Sequence, residues 1–338
     1  ADKSAVKASL IVPAGVSITG SGYTLNVTNA YISLGGTSSK NNTATDTFNI
    51  NFTNSIADFT DYFTLSAPTN GKTPVFNMNI KDSVVNVTKK MCIAAADSTV
   101  TIDNSTVTLG TYLHNSGELT LKNGSALTGS TIQYGENGGN GGTINVDASE
   151  LTITCTSEGH AFDGNGTGKL NLTNGATANI TYIKNHAEIV LDNTSSLTVT
   201  KLTVDGVLES SGDITGTIVA GENAEISIYA GTYTMDVKEW CALGYTTKDN
   251  GDGTWTVKAA VEAKIGNKPY ATLAEAFAAA KEGDRILLQA DAIVDKVLTV
   301  NHNITLADYD TYTVKFIGDG AIHITGSNNL NLENVILT

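Results

Sequence analysis

A short phrase recurs down the chain: a turn residue, usually Asn or Gly, then Ser or another small residue, then apolar and polar positions in alternation. It reads Asp82-Ser83-Val84-Val85-Asn86-Val87, then Asn104-Ser105-Thr106-Val107-Thr108-Leu109, then Asn123-Gly124-Ser125-Ala126-Leu127. It returns as Ala148-Ser149-Glu150-Leu151-Thr152-Ile153, as Asn193-Thr194-Ser195-Ser196-Leu197-Thr198-Val199 and as Glu222-Asn223-Ala224-Glu225-Ile226-Ser227-Ile228. Units of roughly twenty to thirty residues with a two-residue period inside each form the pattern of a β-solenoid. The period puts Val, Ile and Leu inside and Thr, Asn and Ser outside. One such coil cannot bury its apolar face alone, so coils must stack into a shared column. The recurring Asn residues are expected to stack their amides from coil to coil.

Charge narrows the functional classes. Lys and Arg total 20 against 34 Asp and Glu, a net charge of −14. An acidic surface repels phosphate, so neither nucleic acid nor an anionic membrane is an expected partner. No apolar run approaches the eighteen or so residues that span a bilayer, so direct membrane insertion is not expected. Cys92, Cys155 and Cys241 stand apart with no C-x-x-C pair; they are expected to be buried or idle thiols, the alternative being one bridge with a leftover. No metal site and no cofactor are expected from these residues.

The repeat is not uniform. Residues 8–20 read as two strands around Pro13-Ala14-Gly15. The stretch around residues 35–75, with Phe48, Phe52, Phe59, Tyr62, Phe63 and the adjoining Phe76, reads as a long insertion or an irregular coil packed by its own aromatics. Beyond Gly231, Val237, Trp240 and Cys241 have helical spacing. A hairpin follows over Tyr245–Val257, turning at Asp249-Asn250-Gly251-Asp252-Gly253. Residues 232–257 are expected to cover the open end of the first solenoid. Thr272-Leu273-Ala274-Glu275 is a capping box opening a helix that Gly283 ends. Strand-like runs follow at Ile286–Gln289, Val297–Val300, Ile304–Ala307, Thr313–Ile317, Ile322–Ile324 and Leu330–Leu337. The expected domains are therefore 1–257, a β-helix with its cap, and 258–338, the helix-lidded start of a second. The pattern is still running at Thr338, which suggests a fragment of a longer protein.

Two stretches carry a family likeness. One is Gly231-Thr232-Tyr233 with Asp236-Val237 and the later Gly244-Tyr245 to Asp252-Gly253-Thr254-Trp255-Thr256-Val257. The other is Tyr270-Ala271-Thr272-Leu273-Ala274-Glu275-Ala276-Phe277 running on to Gly283-Asp284-Arg285-Ile286. These resemble right-handed parallel β-helices of the pectate-lyase-like class, particularly repetitive, adhesin-like surface proteins of gut anaerobic bacteria. The specific phrases cover about a quarter of the chain. The resemblance implies an all-β, right-handed parallel β-helix in a secreted or cell-surface, bacterial setting. It implies a non-enzymatic module that displays loops to host glycans, polysaccharides or surface proteins. The alternative it leaves open is a carbohydrate-active enzyme of glycoside hydrolase type on the same scaffold.

The enzymatic relatives set a chemical test. Galacturonan hydrolases of this class use an adjacent Asp-Asp pair with Gly-His-Gly and Arg-Ile-Lys segments, and the lyases use calcium carboxylates and an arginine base. Here no two aspartates adjoin, Gly-His-Gly is absent, and Arg285 is the one arginine, at the start of a strand. The best remaining cluster is Glu158-Gly159-His160-Ala161-Phe162-Asp163-Gly164-Asn165-Gly166. There Glu158, His160 and Asp163 are candidate ligand-binding residues on a glycine-rich loop. Asp249 to Gly253 has calcium-loop residue types, but in EF-hand spacing the first ligand falls on Lys248, so a plain hairpin turn is expected. Trp240 and Trp255 are expected to pack in the cover rather than stack on a sugar. No residue of the regular repeat recurs as a catalytic group. Local function is therefore expected where the repeat breaks, at 35–75, 133–142 or 156–168.

Overall fold

A computed structural model describes residues 16–19, 24–28, 31–34, 37–38, 47–59, 63–65, 75–93, 96–133, 141–158, 162–242 and 244–338. The chain divides into two compact units, Ala1–Asp236 with Asp249–Thr256, and Val237–Lys248 with Val257–Thr338. Both are parallel β-solenoids.

In the first unit the described strands fall into three ladders. The first runs through Thr24–Thr28, Thr47–Thr53, Val75–Lys81, Thr99–Asp103, Glu118–Lys122 and Thr143–Asp147, each parallel to the next. The second runs through Tyr31–Leu34, Ile56–Phe59, Val84–Val87, Thr106–Leu109, Ala126–Gly129, Glu150–Ile153 and Thr177–Ile180. The third is built of shorter pieces: Phe63–Leu65, Met91–Ile93, Tyr112–Asn115 and Thr131–Gln133. Later coils tighten, and strands such as Ser196–Val204 run through the corner between two ladders. At the start of the described chain Val16–Thr19 pairs antiparallel with Thr24–Thr28. The other strand expected in that opening, before the Pro13-Ala14-Gly15 turn, lies outside the described residues.

The apolar set of the repeat is the core. Val85, Val107, Leu127 and Leu151 stack in register and are 0–1% exposed. Of the two readings of residues 35–75, the described strands fit a coil. Strands Thr47–Thr53, Ile56–Phe59 and Phe63–Leu65 form an ordinary coil on the same three ladders. Phe52, Phe59 and Phe63 lie opposite Ile80, Val87 and Met91 and are buried. Aromatic rings simply occupy inward positions that later coils fill with aliphatics; Phe59 and Phe63 have ring centroids 4.7 Å apart.

The turn-then-Ser phrase has a physical cause. Asn54, Asp82, Asn104 and Ala148 take φ of 48°, 50°, 45° and 47° immediately before Ser55, Ser83, Ser105 and Ser149. That left-handed residue turns the corner, a conformation that Asn and Asp tolerate better than most side chains. The serine then points inward, and its hydroxyl takes up a backbone N–H of the coil before. Ser55, Ser83, Ser105 and Ser125 donate in turn to the Oγ of Ser83, Ser105, Ser125 and Ser149 at 3.0, 2.9, 3.1 and 3.1 Å. Amide ladders also occur: Asn77 donates to Asn49, Asn79 to Asn51, and Asn171 to Asn145. These lie on the strand faces. At the corners the Asn amide meets a carboxylate instead, Asn104 donating to Asp82, Asn123 to Asp103 and Asn174 to Asp147.

The parallel order of the first unit ends at Thr232–Tyr233, which pairs antiparallel with Trp255–Thr256. Tyr233 is fully buried, and its hydroxyl donates to the Ser210 hydroxyl or the Ala230 carbonyl, both at 2.9 Å. The expected helical turn is a single 3₁₀ turn, Lys238–Trp240.

The second unit opens with an antiparallel pair, Ala263–Ile265 with Lys268–Tyr270. The helix Leu273–Ala279 follows. Its Thr272 hydroxyl accepts from the Glu275 N–H at 3.2 Å, and the Glu275 carboxylate reaches back to the Ala271 N–H, one residue short of the usual capping box. Leu273, Ala276 and Phe277 seat the helix on a core with Ile286, Leu288, Val300 and Leu306. The helix stops at Ala280 in extended conformation, so Gly283, at φ 82°, belongs to the next turn and is not the cap. Arg285–Leu288, Ile304–Ala307 and Leu330–Glu333 then stack in parallel, as do Ala292–Val294, Thr313–Phe316 and Ile336–Leu337. Val297–Val300 pairs with Ala321–Ile324 in a third ladder.

Candidate functional site

The clearest break in the first unit is on the third ladder, around the glycine-rich segment. Asp163 is on the strand Phe162–Thr173, which carries Asn165 and Gly166 at positive φ within it and two register shifts against its neighbour. The Gly-Asn-Gly run is therefore a distorted strand and not a free loop. Gly164 is required there, because a Cβ would lie 2.5 Å from the Asn185 carbonyl oxygen. Glu158 precedes this strand; His160, and residues 134–140 of the 133–142 break, lie outside the described residues.

Register brings the charged groups together. Asp163 is directly opposite Lys184, with a carboxylate-to-ammonium distance of 3.8 Å. Asp163 also accepts from the Asn165 N–H and the Asn185 amide, both at 3.1 Å. Glu158 meets Lys201, 43 residues on, at 3.1 Å. Lys201 in turn is paired with Tyr182 of the preceding coil. Glu158, Tyr182, Lys184, Lys201 and Thr203 rim a depression of about 10 Å³. That volume holds roughly one water molecule. The patch can make surface contacts of both charges around a tyrosine, but it cannot enclose a substrate. Each of the two carboxylates faces a lysine and not the other carboxylate.

Sequence reasoning missed Tyr182, Lys184 and Lys201. The available signal was Lys201, the one charged residue of the strand Ser196–Val204, and Lys184, which shares the strand Tyr182–Leu191 with Glu188; their partners only become visible once the coils are set in register.

The remaining candidates have structural work. Arg285 donates to the Tyr309 hydroxyl at 3.0 Å, lies over its ring and pairs with Glu333, which clips three successive coils of the second unit. Asp249 accepts from the Gly251 N–H, and Asp252 from the Thr254 hydroxyl and N–H, so both carboxylates close the hairpin turn. Those Thr254 bonds hold Asp252 below the usual carboxylate range. Among the described residues no group of three or more His, Cys, Asp or Glu is placed to hold a metal. Cys92, Cys155 and Cys241 are not in disulfides, and the first two are buried. Trp240 and Trp255 are half-buried rather than core residues.

The fold and the patch together define a parallel β-solenoid scaffold bearing a small mixed-charge surface. Comparison with protein-family models, with curated proteins and with solved structures gives no match. No described helix is long and apolar enough to cross a membrane.

Proposed function

We propose that the chain is a non-enzymatic, surface-displayed scaffold module that contacts polysaccharide or host glycan ligands. The observation that carries this reading is the Glu158–Lys201 and Asp163–Lys184 cluster around Tyr182, set where an otherwise regular ladder is interrupted. Lysine-paired carboxylates around an aromatic face suit reversible contact with hydroxylated ligands. They do not suit the divided acid and base roles of a glycosidase. The coil repeat supports the same reading, because it fixes the patch on a stiff array where several weak contacts can add. The secreted or cell-surface setting rests on the resemblance to adhesin-like β-helical proteins of gut anaerobes.

A glycan array with the 338-residue chain, followed by chromatography of the bound glycans, tests this. Specific binding with intact ligand, weakened at least tenfold by Lys201→Ala, is expected. Shortened glycan products would overturn the reading in favour of an enzyme.

A further inference from the structure

We propose that the second unit carries its own binding cleft for a neutral glycan chain, separate from the patch on the first unit; this rests on the surface-binding reading above. The cleft has a volume of about 820 Å³ and is open to solvent. That is the size of a small-molecule site, whereas the patch on the first unit holds about 10 Å³. One wall comes from the ends of the hairpin and the segments beside them, including Tyr245 and Val261. The other comes from the first coil, including Gln289, Asp291 and Ile293, with Tyr312 beyond.

Two features of the lining point to the ligand class. The first is apolar surface left open: Tyr245 and Val261 are each 37% exposed and Ile293 is 49% exposed. Rigid tyrosine faces beside aliphatic side chains match the C–H faces of a pyranose ring. The second is balanced charge: Lys238, Lys258 and Lys264 face the same space as Glu239, Glu262 and Asp291. Equal numbers of cations and anions give no net pull on a phosphate or a uronate. They do offer donors and acceptors side by side, which is what a hydroxyl needs because it both gives and accepts a hydrogen bond.

Glu262 adds a fixed element. It is 7% exposed and its Oε2 accepts from the Leu273 N–H at 2.7 Å, so the carboxyl is held by the helix start. Burial raises its pKa above the ordinary glutamate value. Asp291 is similarly held, its Oδ1 accepting from the Thr313 N–H at 2.7 Å. A polar floor fixed by backbone bonds loses little freedom when a ligand docks.

Calorimetric titration of the full chain with cellohexaose, maltohexaose and mannohexaose tests the proposal, with a sulfated hexasaccharide as the charged comparison. The expected result is binding of at least one neutral hexasaccharide, weakened tenfold or more by Tyr245→Ala and by Asp291→Asn. The second substitution keeps an acceptor for Thr313 and so spares the fold. Raising the salt to about 0.5 M should change this binding less than twofold, since a neutral ligand releases few ions. Binding lost with Lys201→Ala but intact in both cleft variants would overturn the cleft and leave the patch reading standing. Binding of the sulfated probe alone would overturn the neutral-ligand assignment. No binding of any glycan here or on the array would overturn both readings.

Discussion

The backbone N–H of Ser83 donates to the hydroxyl of Ser105 at 2.9 Å across 22 residues of sequence. The same hydroxyl donates onward to the Asp103 carbonyl at 2.7 Å. One buried side chain thus satisfies two backbone groups at a corner where the strand ladder cannot. Removing it leaves the Ser83 N–H buried without an acceptor. Ser105→Ala is expected to cost about 1–3 kcal/mol, read as a lower urea midpoint by circular dichroism. A variant as stable as the parent would show that the serine ladder is incidental.

Ala148 fills the left-handed corner position with φ 47°, where Asn or Asp stands in the three earlier coils Asn54, Asp82 and Asn104. An alanine Cβ is strained there, by about 1 kcal/mol. Ala148→Gly is expected to raise the melting temperature by relieving that strain. Destabilisation would mean the corner is held by something other than backbone conformation.

Gly216 has φ 128°, and a Cβ there would lie 1.8 Å from the Val199 carbonyl oxygen. The clash is with backbone, which cannot swing away. Gly216→Ala should destabilise the first unit by about 3 kcal/mol, seen as faster amide exchange in peptides covering 196–220. The open corner Gly124, with nothing within 4 Å of its Cβ position but a φ of 75°, should tolerate alanine better.

His186 is 2% exposed, and neither ring nitrogen has a hydrogen-bond partner of normal geometry. Burial lowers its pKa below the ordinary histidine value of 6.5, only partly opposed by the charge of Asp205 and the Thr203 backbone. The folded state therefore holds the neutral ring where the unfolded chain would already take a proton. The stability this contributes is complete above the unfolded pKa and declines as pH falls through 6.5 towards the lower folded value. Urea midpoints should fall between about pH 7 and 5, and His186→Phe, close in volume, should flatten that slope. An unchanged slope in the variant would assign the acid sensitivity elsewhere.

The parts of the fold that were legible in the sequence are those with a local cause. Alternation marked Val107, Leu127 and Leu151 as inward because strand geometry leaves no other choice. The Thr272–Glu275 pair marked the helix start because both partners lie within one turn. The coil at 47–65 was illegible for the opposite reason. Its inward positions carry Phe52, Phe59 and Phe63, whose bulk suggests a separate aromatic cluster, and only the register with Ile80, Val87 and Met91 shows that they continue the column. The third ladder was hidden too, since three-residue strands such as Met91–Ile93, buried throughout, leave no alternation to read. At the patch, Glu158 and Asp163 stood out as charges in a glycine-rich break. Their lysines come from later coils, at separations that no local motif encodes.

Successive phrases of the repeat stack in parallel, one coil above the next. Six pairings connect the same outward position through the second ladder, from Val84 through Thr106, Ala126, Glu150, Thr177 and Ser196 to Asp213. At about 4.8 Å per step the two ends lie about 29 Å apart. Spin labels at positions 84 and 213, with the three native cysteines replaced by alanine, give this distance by pulsed electron paramagnetic resonance. A narrow distribution near 29 Å, shortening by about 5 Å when the second label moves to position 196, is the predicted result. A broad distribution, or a distance that does not change by one coil spacing when the label moves by one repeat, would contradict the stacked-coil account.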